Sequence, residues 1–235
     1  MNARYKKQRQ QRMQELWAFD LAMLAQADVT ALIGVDEVGR GSLIGPVVAG
    51  AVLLPATFDE IVHDEQMLLE LDDSKAPHLH HQKRLALANL LKNLCIWGIG
   101  EACKEEIETL NIYHASLLAS HRAVMDLMSR HENPVETQTY LVSIDGRVKI
   151  PHLRNPQRSE VKGDGKSAAI AAASIIAKAH RDEWVIACSK TYPGYGWETN
   201  MGYATPAHKK ALEKLGVTPL HRQTYSVVQE TLVFK

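Results

Sequence analysis

The chain has 235 residues, 46% of them hydrophobic and 23% charged, with 27 Lys and Arg against 27 Asp and Glu. That balance suits one compact domain long enough to bury a core, excludes a disordered or fibrous chain, and leaves any polyanionic partner to be met by a local basic patch. Cys95, Cys103 and Cys188 form no Cys-x-x-Cys pair, which argues against a disulfide framework and a thiolate zinc site and makes a reducing cytoplasm the expected location.

The first stretch, "MNARYKKQRQQR", carries Arg4, Lys6, Lys7, Arg9 and Arg12 and no acid. Contact with a polyanion is one reading of this arm, and a solvated face is the commoner one. Glu15 and Asp20 interrupt the apolar stretch that follows, so neither an export signal nor a membrane anchor is expected. Residues 4–28 carry an approximate helical stripe at Met13, Leu16, Trp17, Met23 and Leu24, and read as an appended helix. Leu32–Glu37 and Val47–Leu54 have strand length and composition with glycines between them, which predicts a hairpin. Residues 59–73 hold seven acids and no Lys or Arg.

A helix from about Gln82 to Leu94 and a strand over Cys95–Ala102 follow. Then come a helix over Ile112–Arg130, a buried strand over Thr139–Asp145, a short strand in "SEVKG", and a long Ala-rich helix from "KSAAIAAAS" to "CSK". "TYPGYGWETNMGYATP" reads as a loop, and two short helices near Pro206–Leu215 and Arg222–Phe234 close the chain. No internal repeat is present. The order implies an α/β fold, a mixed sheet with helices on both faces.

Three groups of acids sit at or just beyond strand ends: Asp36 with Glu37, Asp145 in "SIDG", and Asp164 in "VKGDGKS". Glycines follow each, so the backbone can turn sharply there. Carboxylates converging on one sheet edge repel one another when empty and are relieved by Mg²⁺ or Mn²⁺. Two such ions about 4 Å apart activate water and stabilise a leaving oxygen in phosphodiester cleavage. Taken singly, each acid has a plainer reading: Asp-Gly is a common turn, and Asp164 can cap the helix that begins near Ser167. Two adjacent carboxylates inside an apolar strand are harder to explain that way, because buried charge is costly unless it is compensated. A dinucleotide fingerprint is rejected. Gly39, Gly41 and Gly45 have the wrong spacing, and a strand follows where that motif needs a helix.

"GVDEVGRGSLIGPVV", "LDDSK", "LNIYHASLLASHRAV", "VSIDG", "VKGDGKSAAIAAASIIAKAHRDE", "YPGYGWETNMGYATPAH" and "HRQTYS", in this order between about Leu32 and Val228, resemble bacterial ribonuclease HII, the type 2 ribonuclease H family. The resemblance implies a ribonuclease H-like fold, with a mixed five-stranded sheet flanked by helices and C-terminal helices. It divides the chain into a basic helical extension, residues 1–29, and a catalytic domain, residues 30–235. It further implies a Mg²⁺- or Mn²⁺-dependent endonuclease that cuts RNA in RNA/DNA hybrids and cuts duplex DNA 5′ of embedded ribonucleotides, leaving 5′-phosphate and 3′-hydroxyl ends. A monomer is expected.

Carried over by motif, Asp36, Glu37, Asp145 and Asp164 are the metal-binding carboxylates. Gly39, Arg40 and Gly41 read the ribose 2′-hydroxyl, Tyr203 packs on the sugar, and Ser74, Lys75 and Arg222 contact phosphates. The chain departs from the family at Met201 and Thr199, which replace frequent lysines, and at Ala76 and Pro77 after "DDSK". His180 reads as a helix-surface histidine, and His208 either lies near the site or makes a local helix-start hydrogen bond. A junction resolvase of the same fold would need neither the glycine loop nor Tyr203. A module that binds hybrids without cutting would be weakened by four acids facing phosphates.

Overall fold

The structure, a computed structural model, describes residues 3–27, 29–64, 66–130 and 139–233. The elements are α1 (Ala3–Ala27), β1 (Ala31–Val38), β2 (Val47–Leu53), α2 (Phe58–Asp64), α3 (His81–Leu94), β3 (Ile96–Ala102), α4 (Lys104–Arg130), β4 (Tyr140–Asp145), β5 (Gln157–Glu160), α5 (Ala168–Thr191), α6 (Trp197–Asn200), α7 (Pro206–Leu215) and α8 (Ser226–Val233). One mixed sheet of five strands runs β3-β2-β1-β4-β5. The hairpin is antiparallel and places Asp36 opposite Gly50. β4 lies parallel to β1 with Val35 opposite Ile144, so both strands deliver their carboxyl ends, and their acids, to the same edge.

The sheet is covered on both faces. Ile33, Val35, Val142 and Ile144 pack against Ala115, Ala119, Ala123 and Leu127 of α4. On the other face Leu32, Val52 and Leu141 meet the Ala-rich α5 and, beyond it, α1 and α3. The run of alanines in α5 exists because the sheet comes so close: a Cβ built on Gly34 would lie 2.1 Å from the Ala169 carbonyl carbon. β3 meets α4 equally closely, a Cβ on Gly100 falling 2.1 Å from the Ala119 carbonyl oxygen. Backbone on both sides leaves no side chain free to yield, so Gly100→Ala is expected to cost about 1–3 kcal/mol by overpacking, read as a lower midpoint in urea unfolding.

Several features differ from, or add to, the sequence reading. Helix α1 is no appendage: Met13, Leu16 and Met23 are buried in the core, and so are Arg9 and Asp20. The basic arm and the acidic run meet each other, Arg9 pairing with Asp72 at 2.9 Å and Arg12 with the same carboxylate at 3.0 Å. The acidic run, for which the sequence suggested no element, folds into α2 and a 3₁₀ turn over Gln66–Glu70. Helix α4 begins eight residues earlier than expected. Asn111 breaks it at φ 65° and ψ 164°, and its side chain caps the restarted helix through the Tyr113 and His114 amides. The last helix is shorter than Arg222–Phe234, beginning at Ser226, and Phe234 lies outside the described residues. Among the described residues no helix is long and apolar enough to cross a membrane.

Candidate active site

Side chains alternate across a strand, so Asp36, in step with Gly34, projects on the α5 side of β1, while Glu37 projects on the other. Asp145, in step with Leu141 of the α5-side core, ends the neighbouring strand on the same side as Asp36. Asp164 arrives from a 3₁₀ turn, Gly163–Gly165, directly before α5. Backbone amides fasten these carboxylates. Asp36 accepts from the Glu37 N–H at 2.8 Å, Asp145 from Gly163 at 2.7 Å, and Asp164 from Gly165 at 2.9 Å.

The acids act on one another. Burial, then the charges of Glu37, Asp145 and Asp164, push the Asp36 carboxyl well above the usual carboxylate range. Burial also raises Glu37, against the opposing pull of Arg40, which pairs with it at 3.1 Å. Burial and the charges of Asp73 and Asp145 lift Asp164 to about 6. Lys75 feels the same field: partial desolvation pulls its ammonium down, but Asp36, Asp73 and Asp164 outweigh it and hold the pKa raised. Lys75 is therefore an exposed cation beside the acids, as is Arg40, whereas Ser74 is buried and its carbonyl is taken by Arg84.

The loop between β1 and β2 rises beside this cluster. Gly39 has φ +90°, and a Cβ there would strike Arg181 at 2.3 Å. Gly41 differs, since a Cβ would meet only the Tyr203 ring at 3.9 Å, an ordinary contact. Loop and tyrosine are tied by a bridge between Ser42 and Tyr203 and by the Leu43 N–H donating to Gly202 at 2.8 Å. Beneath the tyrosine, the buried Arg181 guanidinium sits 5.6 Å from the ring centroid and donates to the Met201 carbonyl. His208 is buried and bonds the Tyr203 carbonyl through Nδ1 at 3.0 Å, a local role. Its Nε2 accepts from Trp197 at 2.9 Å and meets His221 at 3.3 Å. His180 pairs with Glu101 on the surface, as its sequence position suggested.

Arg222 does not fit the role expected of it. It is fully buried, and it donates to the Gly45, Arg40 and Pro46 carbonyls at 2.9, 3.0 and 3.0 Å and to the Tyr225 hydroxyl. With every nitrogen committed to the loop, it braces the Gly39–Gly41 turn from below and offers nothing to a phosphate.

The ribonuclease HII family model matches residues 33–228. The chain belongs to the ribonuclease HII family. Its relatives include ribonuclease HII of Pelagibacter ubique, 46% identical over 202 residues that cover 86% of this chain and 98% of that one. Ribonuclease HII of Myxococcus xanthus is 41% identical over 94% of this chain and 70% of its own length. Among solved structures, ribonuclease H2 from Pyrococcus horikoshii OT3 shares the fold with a TM-score of 0.65 at 23% identity, covering 86% of this chain and 97% of that one. Bst-RNase HIII in complex with Mn²⁺ does so with a TM-score of 0.67 at 17% identity, covering 88% and 70%. As a ribonuclease HII, the protein is a type 2 ribonuclease H, a metal-dependent endoribonuclease of RNA/DNA hybrids.

The donor set suits a divalent ion. The four carboxylates supply hard oxygen donors only, and the raised proton affinities of Asp36, Glu37 and Asp164 express a repulsion that a cation would relieve. Among the described residues, no three His, Cys, Asp or Glu side chains are drawn into one tight coordination group. Sequence reasoning missed Asp73, which repels Asp164, and Arg181, which supports Tyr203. The "DDSK" and "AHRDE" motifs held both residues, but only the packing shows what they face.

Proposed function

We propose that the protein cuts duplex DNA on the 5′ side of embedded ribonucleotides as well as the RNA strand of hybrids, leaving 5′-phosphate and 3′-hydroxyl ends. The observation that carries this reading is the open space over Gly41 beside the self-repelling acids. A backbone turn there is free to approach a 2′-hydroxyl, the one group that distinguishes RNA from DNA, next to a centre suited to phosphodiester hydrolysis. Asp36, Glu37, Asp145 and Asp164 would hold Mg²⁺ or Mn²⁺. The Mn²⁺ of the Bst-RNase HIII complex supports that choice of ion class. When bound, such ions lower the pKa of water and stabilise charge developing on a leaving oxygen.

The remaining residues orient the substrate. The Gly39–Gly41 backbone, braced by Arg222 and Arg181, meets the ribose. Tyr203, fixed to the same loop through Ser42, packs on the adjoining sugar, and Lys75 neutralises a phosphate beside the acids. The free thiols Cys95, Cys103 and Cys188 support the cytoplasm as its location. Incubation with a duplex containing one ribonucleotide, with Mg²⁺, Mn²⁺ or EDTA, tests the reading. Metal-dependent cutting is expected, and binding without cutting in every condition would favour a hybrid-binding module.

Met201 and Thr199 border the same loop, Thr199 exposed and Met201 half-buried at φ 51°. Met201→Lys adds a cation without changing the backbone demand. It should tighten hybrid binding at low salt and steepen the salt dependence by roughly one released counterion. An unchanged slope in a fluorescence-anisotropy salt titration places this loop away from the duplex.

A further inference from the structure

Helix α1 ends before residue 33, where the family match begins, yet it touches the segments that frame the fourth carboxylate. Arg12 Nη2 donates to Asp72 Oδ1 at 3.0 Å and to the Gly165 carbonyl at 2.7 Å. The amide of the same Gly165 holds the Asp164 carboxylate at 2.9 Å. Arg9 secures the other end of this link, donating to Asp72 Oδ2 and to the Leu69 and Leu71 carbonyls, each at 2.9 Å. About two helical turns beyond Arg12, Asp20 accepts from the Ala169 amide at 2.9 Å, in the first turn of α5. Three segments thus hang on one face of α1: the Asp72–Lys75 turn, the Gly163–Gly165 loop and the start of α5.

We propose that Arg12 is a positioning residue of the nuclease centre, holding the Asp164 loop against the Asp72–Lys75 turn. This rests on the assignment of Asp164 to that centre. The bridge is needed because the two segments repel: Asp73 and Asp164 face each other as like charges, with Lys75 only partly offsetting them. The Arg12 guanidinium serves a carboxylate and a carbonyl on different segments, and its planar fork fixes both directions. A lysine ammonium on a flexible stem supplies the charge without that geometry. Arg12 therefore acts through Gly165 on the placement of Asp164.

The test compares Arg12→Met, Arg12→Lys, Met13→Ala and Asp36→Asn in the full chain. Three quantities are measured: the melting temperature, kcat and KM on a hybrid, and Mn²⁺ affinity by calorimetric titration into substrate-free protein. Loss of a residue that orients metal-binding groups typically costs about 10–100-fold in metal affinity or activity. Arg12→Met should fall in that range for both kcat and Mn²⁺ affinity with little change in KM, and Arg12→Lys should recover only part. Met13→Ala loosens the same helix from the core without touching the loop. It should lower the melting temperature and leave Mn²⁺ affinity in place. Wild-type kcat and Mn²⁺ affinity in Arg12→Met overturn the inference, and so does an equal loss of affinity in Met13→Ala, which would show a general structural role. If Asp36→Asn cleaves normally, the underlying site reading has failed. If Asp36→Asn is inactive while Arg12→Met behaves as wild type, only the role of Arg12 has failed.

Discussion

Asp36→Asn should reduce hybrid cleavage by about 10³-fold or more while the metal-free protein melts at the same or a higher temperature. The activity loss follows from removing one of four carboxylates suited to a divalent ion. Such ions supply several kcal/mol of transition-state stabilisation, and each 1.36 kcal/mol is about tenfold in rate. The stability gain has a defined pH dependence. Burial and three neighbouring acids raise the folded-state pKa of Asp36 above its unfolded value of 3.8, so the ionised carboxylate strains the fold at high pH and is relieved by protonation as the pH falls. The advantage of Asn is therefore largest near pH 8 in EDTA and shrinks toward pH 4. Asp145→Asn should likewise lose cleavage while keeping the fold, since Asn can still accept from the Gly163 amide. Cleavage assays and thermal melts on the same samples decide the matter. Full activity in Asp36→Asn would remove the carboxylate centre from the mechanism, and a melting temperature below wild type at pH 8 would show that the acids are not in conflict.

The second large effect concerns the loop. Gly41→Ala is expected to fold normally, because its Cβ meets only the Tyr203 ring at contact distance, and yet to lose most cleavage by filling the space over the backbone turn. Gly39→Ala is a poorer probe, since φ +90° and the collision with Arg181 would disturb the loop itself. Tyr203→Ala should cost about 1–3 kcal/mol in binding, by analogy with the loss of an aromatic stacking partner, and should blunt discrimination as well as rate. The informative substrates are a duplex with one ribonucleotide and its 2′-deoxy and 2′-O-methyl counterparts. The wild type should cut only the first, 5′ of the ribonucleotide. Comparable cutting of the all-deoxy duplex would reduce the Gly-Arg-Gly segment to a turn between strands and favour a generic nuclease of this fold.

The sheet was legible in the sequence because its strands are continuous apolar runs. Both central acids stood out because charge is rare in such runs, and the Ala-rich helix correctly signalled close packing on a sheet. Charged residues whose partners are distant in sequence were not legible. Arg222 sits in a motif beside a nuclease loop and reads as a phosphate contact. Only the carbonyls of Gly45 and Pro46, 177 and 176 residues away, show that it is consumed internally. Helix α1 was legible as a helix, but its docking into the core was not, for the same reason: Arg9, Arg12 and Asp20 weaken its apolar stripe until their partners are known. Arg9 and Asp20 occupy buried positions in it.

Helix α1 also bears on how the chain is made. Arg12 and Gly165 are separated by 153 residues, and Asp20 and Ala169 by 149. At a translation rate of roughly 5–20 residues per second, α1 waits on the order of 8–30 s for these two partners to be synthesised. Until then Met13, Leu16 and Met23 lack the α5 part of their core, and for most of that interval the strand that follows lacks its parallel neighbour β4. Arg9 and Asp20, which the finished protein buries, break the greasy face of the waiting helix and keep it compatible with water until α5 has emerged.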